Sequence, residues 1–209
     1  MSDIASRLVF LKNLQEVSNR IHSTSNVDEI MLELSQDICT LCAADRLTIY
    51  LLSEDKQSIV SKVKTGLNSF KDIRLPISEQ SIAGFVATHK RSLNLPDVYD
   101  QAALSQLSPN LVFLQEVDKR TGYRSRQMLV TPIVDANGDL LGVLQLINHL
   151  SNVPFPDFVE EGAVDLAKTL AIALLQRQKV PAFVVRSKYD HLVVDGLLSA
   201  EEMELAQRA

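Results

Sequence analysis

Cys39 and Cys42, spaced C-x-x-C, are the residues of this chain whose types and spacing could do covalent or metal chemistry. Such a pair can hold zinc or cycle between dithiol and disulfide. Here it lies inside an apolar-periodic helical stretch, with no second Cys pair and no nearby His, and free Cys is commonly buried. The pair reads as two small core residues. His22, His89, His149 and His191 are scattered along the chain, so no preformed metal cluster is visible. No nucleophile–base–orienter set is apparent, and no G-x-x-x-x-G-K-[ST] run occurs. A chain that is not an enzyme and requires no cofactor is expected.

At 209 residues the chain can bury a substantial core and hold one domain plus an extension. A net charge of −5 argues against nucleic acid as a partner, because phosphate binding needs clustered Lys and Arg. The longest apolar runs are about five or six residues, far short of the roughly 18 that span a bilayer. Met-Ser-Asp-Ile4 lacks a basic segment followed by an apolar one, so no signal peptide is apparent and a cytoplasmic address is expected.

The elements that must position any site follow from periodicity. Residues 3–22 read as a helix with Ile4, Leu8, Leu11, Leu14 or Val17, and Ile21 near one face. Ser25 or Asn26 can cap a second helix over about 27–42, with Asp28 and Glu29 in its first turn. Strands are expected at 46–52, 58–64 and 72–76, then a short helix at 81–89. Leu95-Pro96-Asp97 fixes an extended entry to an irregular connector with helical fragments at 99–106 and 110–118. The run from Met128 to Ile133, then Asn137-Gly138, then Leu140 to Asn148 reads as a hairpin with a two-residue turn, both turn residues at positive φ. Pro132 cannot donate, so it should sit at a strand end or on an edge. Pro154 and Pro156 introduce a long helix over about 157–178, with Phe158, Leu166, Leu170 and Leu174 along one side. An α+β layered domain results, with a mixed sheet covered by helices on both faces.

Several stretches now carry a resemblance: Ile73-Arg-Leu-Pro-Ile77, Ser81-Ile-Ala-Gly-Phe-Val-Ala-Thr88, Leu93-Asn-Leu-Pro-Asp-Val-Tyr99, Thr121-Gly-Tyr-Arg-Ser-Arg126 and Gly142-Val-Leu-Gln-Leu-Ile-Asn148. In this order they resemble the regulatory GAF domains of cyclic-nucleotide phosphodiesterases and related adenylyl cyclases. The resemblance implies a six-stranded antiparallel sheet with a small-molecule pocket on one face. It implies a regulatory role in which a ligand, with a cyclic nucleotide as candidate, is held by Thr48, Ile82, Ala83, Asp118, Thr121, Ser125 and Gln145. Helix-start N–H groups suit a phosphate, and hydroxyls and amides can read a purine edge. Ala substitutions at Thr121 and Asp118 are expected to abolish binding with little loss of stability. Arg124 and Arg126 read as surface residues.

The chain departs from the family pattern in three places. Asn148 is followed by His149, and Val159-Glu160 stands where Asp-Glu is usual, so the link that braces the fold is lost or moves to Glu160 or Glu161. The 97–121 connector is about nine residues longer than in those members, which also allows a ligand-free docking module. Gln145 stands where nucleotide binders carry an acid. Residues 1–25 are assigned as a helix for dimerisation or linkage, 26–180 as the GAF domain, and 181–209 as a linker and the start of a truncated helical module. The stretch from Tyr189 to Gln207 resembles the N-terminal helical module of type II secretion and type IV pilus ATPases, which suggests a fragment of a longer protein. A homodimer through the terminal helices is expected, with no membrane insertion. Some members of the family reduce free methionine sulfoxide or attach a bilin through Cys, but both need a thiol in the connector, and Cys39 and Cys42 precede it.

Overall fold

Phe10, Leu14, Val17 and Ile21 recur at spacings of four, three and four, which places them on one stripe of a helix. In the computed structural model, α1 runs Ser2–Ser23 and buries those four side chains. The apolar face expected from the sequence is corrected here: Ile4, Leu8 and Leu11 form a separate stripe that remains 52–68% exposed. The structure describes residues 2–24, 34–64, 70–115, 118–119 and 122–178. The chain divides into two units, Met1–Leu174 and Leu175–Ala209, and of the second only residues 175–178 are described. The proposed caps at Ser25 and Asn26, the first turn at Asp28 and Glu29, and the tail resembling a secretion ATPase lie outside the described residues.

After α1 come α2 (Ser35–Cys42), β1 (Ala44–Leu52), β2 (Ser58–Lys64) and β3 (Phe70–Pro76). Then follow α3 (Ile82–His89), β4 (Leu93–Leu95), α4 (Gln101–Leu107), β5 (Met128–Val134), β6 (Leu140–His149) and α5 (Asp157–Gln178). The six strands form one sheet in the order β3-β2-β1-β6-β5-β4, and every neighbouring pair is antiparallel. The sheet is therefore antiparallel, not mixed, as the family resemblance implied. Its sixth strand, β4, is three residues long and pairs Leu93 with Val130 and Leu95 with Met128.

Two local readings are corrected. The turn between β5 and β6 is not a two-residue Asn-Gly turn, since only Gly138 has positive φ, at 82°. Asp135 organises a longer turn, its carboxylate accepting from the backbone N–H groups of Asn137 and Asp139, while Gly138 N–H closes back on Asp135 C=O. Residues 111–115 are not helical. Pro109 restricts the backbone before them, and they run across the sheet with Leu111 buried and Phe113 stacked against Tyr99 at 5.1 Å. Pro132 lies beyond the end of β4, where β5 has no partner on that side to miss its N–H.

The sheet separates two cores. On one face Ile49, Leu129, Ile133, Leu144 and Leu146 pack with the α1 stripe and with Val159, Ala163, Leu166, Leu170 and Leu174 of α5. Phe10 stacks edge-on against Phe158 at 5.2 Å. On the other face Tyr50, Ile59, Val130 and Val143 pack with α3, α4 and the 93–113 segment. Cys39 and Cys42 are both buried, as their helical context implied. The bracing contact has moved: Asn94 Nδ2 donates to Phe155 C=O at 2.8 Å and to Glu160 Oε2 at 3.1 Å. Glu161 instead pairs with Arg7 at 2.6 Å.

Candidate ligand cavity

The second face of the sheet carries a cavity of about 490 Å³, within the range of small-molecule sites. Its floor is the central strand pair. Thr48 of β1 stands directly opposite Gln145 of β6. The strand period of two sends both side chains to the cavity face, while Leu47, Ile49, Leu144 and Leu146 turn to the other. Gln145 is 9% exposed, and its amide makes no hydrogen bond among the described residues.

One wall is the start of α3. Ser81 is extended, at φ −141° and ψ 156°, and its hydroxyl accepts from Gly84 N–H at 3.1 Å. Phe85 N–H returns to Ser81 C=O. That leaves the N–H groups of Ile82 and Ala83 without an intrahelical acceptor at the cavity wall, as the first turn of any helix does. Glycine is required at position 84 because a Cβ there would lie 2.5 Å from Ser78 C=O and 2.8 Å from Pro76 C=O. The close approach brings α3 onto β2 and β3.

The opposite wall is formed by Phe113, Leu114, Asp118, Tyr123 and Ser125, fastened by two tyrosine–carboxylate bonds. Tyr99 hydroxyl donates to Asp118 at 3.0 Å, and Ser125 donates to the same carboxylate from its N–H at 2.7 Å and its hydroxyl at 2.9 Å. Tyr123 hydroxyl donates to Asp45 at 2.5 Å and accepts from Asn148 Nδ2 at 2.9 Å. A guanidinium lies over each ring, Arg124 over Tyr99 at 3.3 Å and Arg46 over Tyr123 at 3.4 Å, a cation–π arrangement. Asn148, at φ 55°, also donates to Arg124 C=O and accepts from Arg126 N–H. It thereby holds this wall to the end of β6. Arg124 and Arg126 do not line the cavity, and Arg126 bonds to Asn152.

Burial pushes the Cys39 thiol up to about 11 and Cys42 up to about 12, so both stay protonated at neutral pH. Burial likewise raises Tyr50 to about 12. Tyr123 is raised further, by burial first and by Asp45 second. Among the described residues no group of three or more His, Cys, Asp or Glu side chains is placed to hold a metal, and no helix is long and apolar enough to cross a membrane.

Of the residues nominated from the sequence, Thr48, Ile82, Ala83, Asp118, Ser125 and Gln145 all line this cavity, while Thr121 lies outside the described residues. Sequence reasoning did not nominate Asp45, Arg46 and Tyr50 of β1, Cys39 of α2 or Tyr123. The parity of β1 could have found Arg46 and Tyr50, which share Thr48's alternation.

Comparison with known proteins places these features in a lineage. A family model described as the GAF domain matches residues 26–174. Over 157 residues, 70% of this chain, the sequence is 30% identical to the dual 3′,5′-cyclic-AMP and -GMP phosphodiesterase 11A of Takifugu rubripes, covering 16% of that protein. Over 173 residues, 77% of this chain, it is 26% identical to the cGMP-specific 3′,5′-cyclic phosphodiesterase of Drosophila erecta, covering 14% of it. The chain thus spans 13–16% of the length of the curated relatives it matches. Among solved structures, the GAF domain of a phosphoenolpyruvate-protein phosphotransferase from Coxiella burnetii superposes with a TM-score of 0.66 at 21% identity, covering 82% of this chain and 96% of that one. That likeness concerns the fold alone. The family match ends at residue 174, so it lends no support to the secretion-ATPase resemblance of residues 189–207. With more than half of its residues matched to one family and the sheet, strand order and cavity in place, this chain belongs to the GAF domain family.

Proposed function

We propose that this GAF domain is a regulatory, non-catalytic sensor that binds a cyclic nucleotide in the cavity over β1 and β6. In this reading Thr48 and Gln145 read the base, and the Ile82 and Ala83 N–H groups hold the phosphate. The observation that carries it is Gln145, a largely covered side chain whose amide makes no hydrogen bond among the described residues and faces a cavity lined by a helix start. Its oxygen and nitrogen open onto the cavity and can accept from and donate to a ligand edge. In support, cyclic-nucleotide phosphodiesterases of Takifugu rubripes and Drosophila erecta share this stretch of sequence. Binding biases an attached output domain by the ligand's differential affinity for two states. For that output, the tail at 189–207 suggests a type II/IV secretion ATPase.

A second reading has its own support. Ile4, Leu8 and Leu11 leave an apolar stripe on α1, and Ile172 is 49% exposed on α5. A homodimer through these helices, with or without a ligand, would cover them.

The test is a thermal melt of the chain with cAMP, cGMP and cyclic dinucleotides, followed by calorimetric titration. A ligand at about 100 times its Kd stabilises by roughly 2.7 kcal/mol, a rise of about 5–10 °C for a domain of this size. A rise with any of them, smaller in Gln145→Leu at equal concentration, supports the sensor. Flat melts with all of them transfer the role to dimerisation and docking.

A further inference from the structure

The chain carries a net charge of −5, yet three arginines meet at one end of its sheet. Asn148 is the point they share. Its side chain donates to Arg124 C=O and to the Tyr123 hydroxyl and accepts from Arg126 N–H, while Arg46 covers the Tyr123 ring. Ser125 is buried between Arg124 and Arg126, which turn outward and are exposed, as Arg46 is. Among the described residues none of the three is held in an ion pair. Asp45 and Asp118, the carboxylates bonded into this wall, accept from Tyr123 and from Tyr99 and Ser125 instead. They offset part of the field, so attraction here is short in range and acts through the guanidinium groups themselves.

Those groups are fixed in place. Arg124 lies on the Tyr99 ring at 3.3 Å and Arg46 on the Tyr123 ring at 3.4 Å, and Arg126 Nη1 donates to Asn152 Oδ1 at 3.1 Å. Stacking occupies the face of a guanidinium and leaves its edge of N–H donors open to a carboxylate. The loop after β6 adds apolar surface beside them. Leu150 and Val153 flank Asn152 and are 66% and 45% exposed, and Leu150 is pinned by its N–H to Ala43 C=O.

We propose that this end of the sheet docks an acidic protein segment, its carboxylates on Arg46, Arg124 and Arg126 and an apolar side chain on Leu150 and Val153. Charge complementarity selects the occupant. Arginines already seated on tyrosine rings match carboxylates bidentately, and little side-chain freedom is lost when they bind. A bilayer of anionic lipids is the poorer match, because it must meet a broad face of a protein whose overall charge is negative. A peptide touches the patch alone. Arg124 and Arg126 do not line the cavity, so the surface stands whether or not that cavity takes a cyclic nucleotide.

The experiment is selection of peptides from a random displayed library on the immobilised chain, then anisotropy titration of the enriched peptides, labelled, against the parent and two variants. Arg126→Glu reverses one charge, and Leu150→Ser trims the apolar tip. Both positions are exposed, and melts matching the parent show that the variants fold. The expected peptides are rich in Asp and Glu and carry an apolar residue. Their binding should weaken by about ten-fold in Arg126→Glu, by less in Leu150→Ser, and progressively as salt rises. Enriched peptides without an acidic bias, or acidic ones whose affinity neither variant changes, overturn the proposal, as does the absence of any enrichment. Binding of the chain to phosphatidylserine vesicles, lost in Arg126→Glu and with no acidic peptide enriched, overturns it in favour of a membrane surface.

Discussion

Ser125 donates twice to Asp118, from its backbone N–H and from its hydroxyl. With the Tyr99 hydroxyl as third donor, the carboxylate is engaged by the protein itself. Asp118 therefore shapes the cavity wall before any ligand arrives. Asp118→Ala would leave a buried N–H unpaired, at a cost of about 1–3 kcal/mol. The apo protein should melt lower by roughly 2–4 °C per kcal/mol lost. Asp118→Asn, which retains one acceptor oxygen, should recover part of the loss. An unshifted melt for the alanine variant would return Asp118 to the role of a pure ligand contact.

Gln145 is the contrasting case. Its amide has no protein partner, so Gln145→Leu should leave the apo melting temperature unchanged or raise it. Loss of one hydrogen bond to a ligand, about 1 kcal/mol, should weaken binding by roughly five-fold. Calorimetry on the two variants together separates a wall residue from a floor contact.

Glu79 sets an acid limb to stability. Its carboxylate accepts from the Ser108 hydroxyl at 2.6 Å and faces His89 at 2.6 Å. The Ser108 bond chiefly, and His89 next, hold its pKa below the usual 4.5. The folded value lies under the unfolded one, so its contribution is complete above about pH 4.5 and disappears as pH falls through the lowered value. Melts of Glu79→Gln and the parent should differ near pH 6 and converge towards pH 3. A gap that persists in acid would mean that the contact acts through packing instead.

Gly84→Ala should displace α3. The new Cβ meets two backbone carbonyl oxygens, Ser78 at 2.5 Å and Pro76 at 2.8 Å, and backbone cannot rotate aside as a side chain can. Overpacking of this kind costs about 1–3 kcal/mol. Because the same helix start holds the proposed phosphate, affinity should fall along with melting temperature. Full affinity in a folded Gly84→Ala protein would remove the α3 wall from the binding site.

The long periodic elements were legible in the sequence. The 157–178 helix appears with the bounds expected, because two prolines fix its entry and Leu166, Leu170 and Leu174 repeat at helical spacing. β4 was not legible as a strand, since Leu-Asn-Leu is too short to show alternation and is made a strand only by pairing with β5. Of the 110–118 fragment, Asp118 is helical, while 111–115 are not, because helical propensity competes there with Pro109 and with tertiary contacts at Tyr99 that no local window contains. The Asn137-Gly138 turn was misread because the neighbouring Asp135 side chain captures the loop's N–H groups. Within the cavity, motif matching found the floor and the helix start. It missed Asp45 and Tyr123, whose meeting spans 78 residues and depends on the fold itself.

The alternation along β6 has a mechanical consequence. Gln145 faces the cavity, and its chain neighbours Leu144 and Leu146 are wedged, 1% and 0% exposed, against the helical layer of α1 and α5. In the proposed sensor, detector and transmitter would thus share consecutive peptide units. A ligand's pull on the amide would tilt peptide planes whose neighbouring side chains end in the opposite core, over a path only one residue long. Trimming Leu144 or Leu146 should therefore detune ligand affinity from the far side of the sheet, by loosening the mounting on which the detector sits.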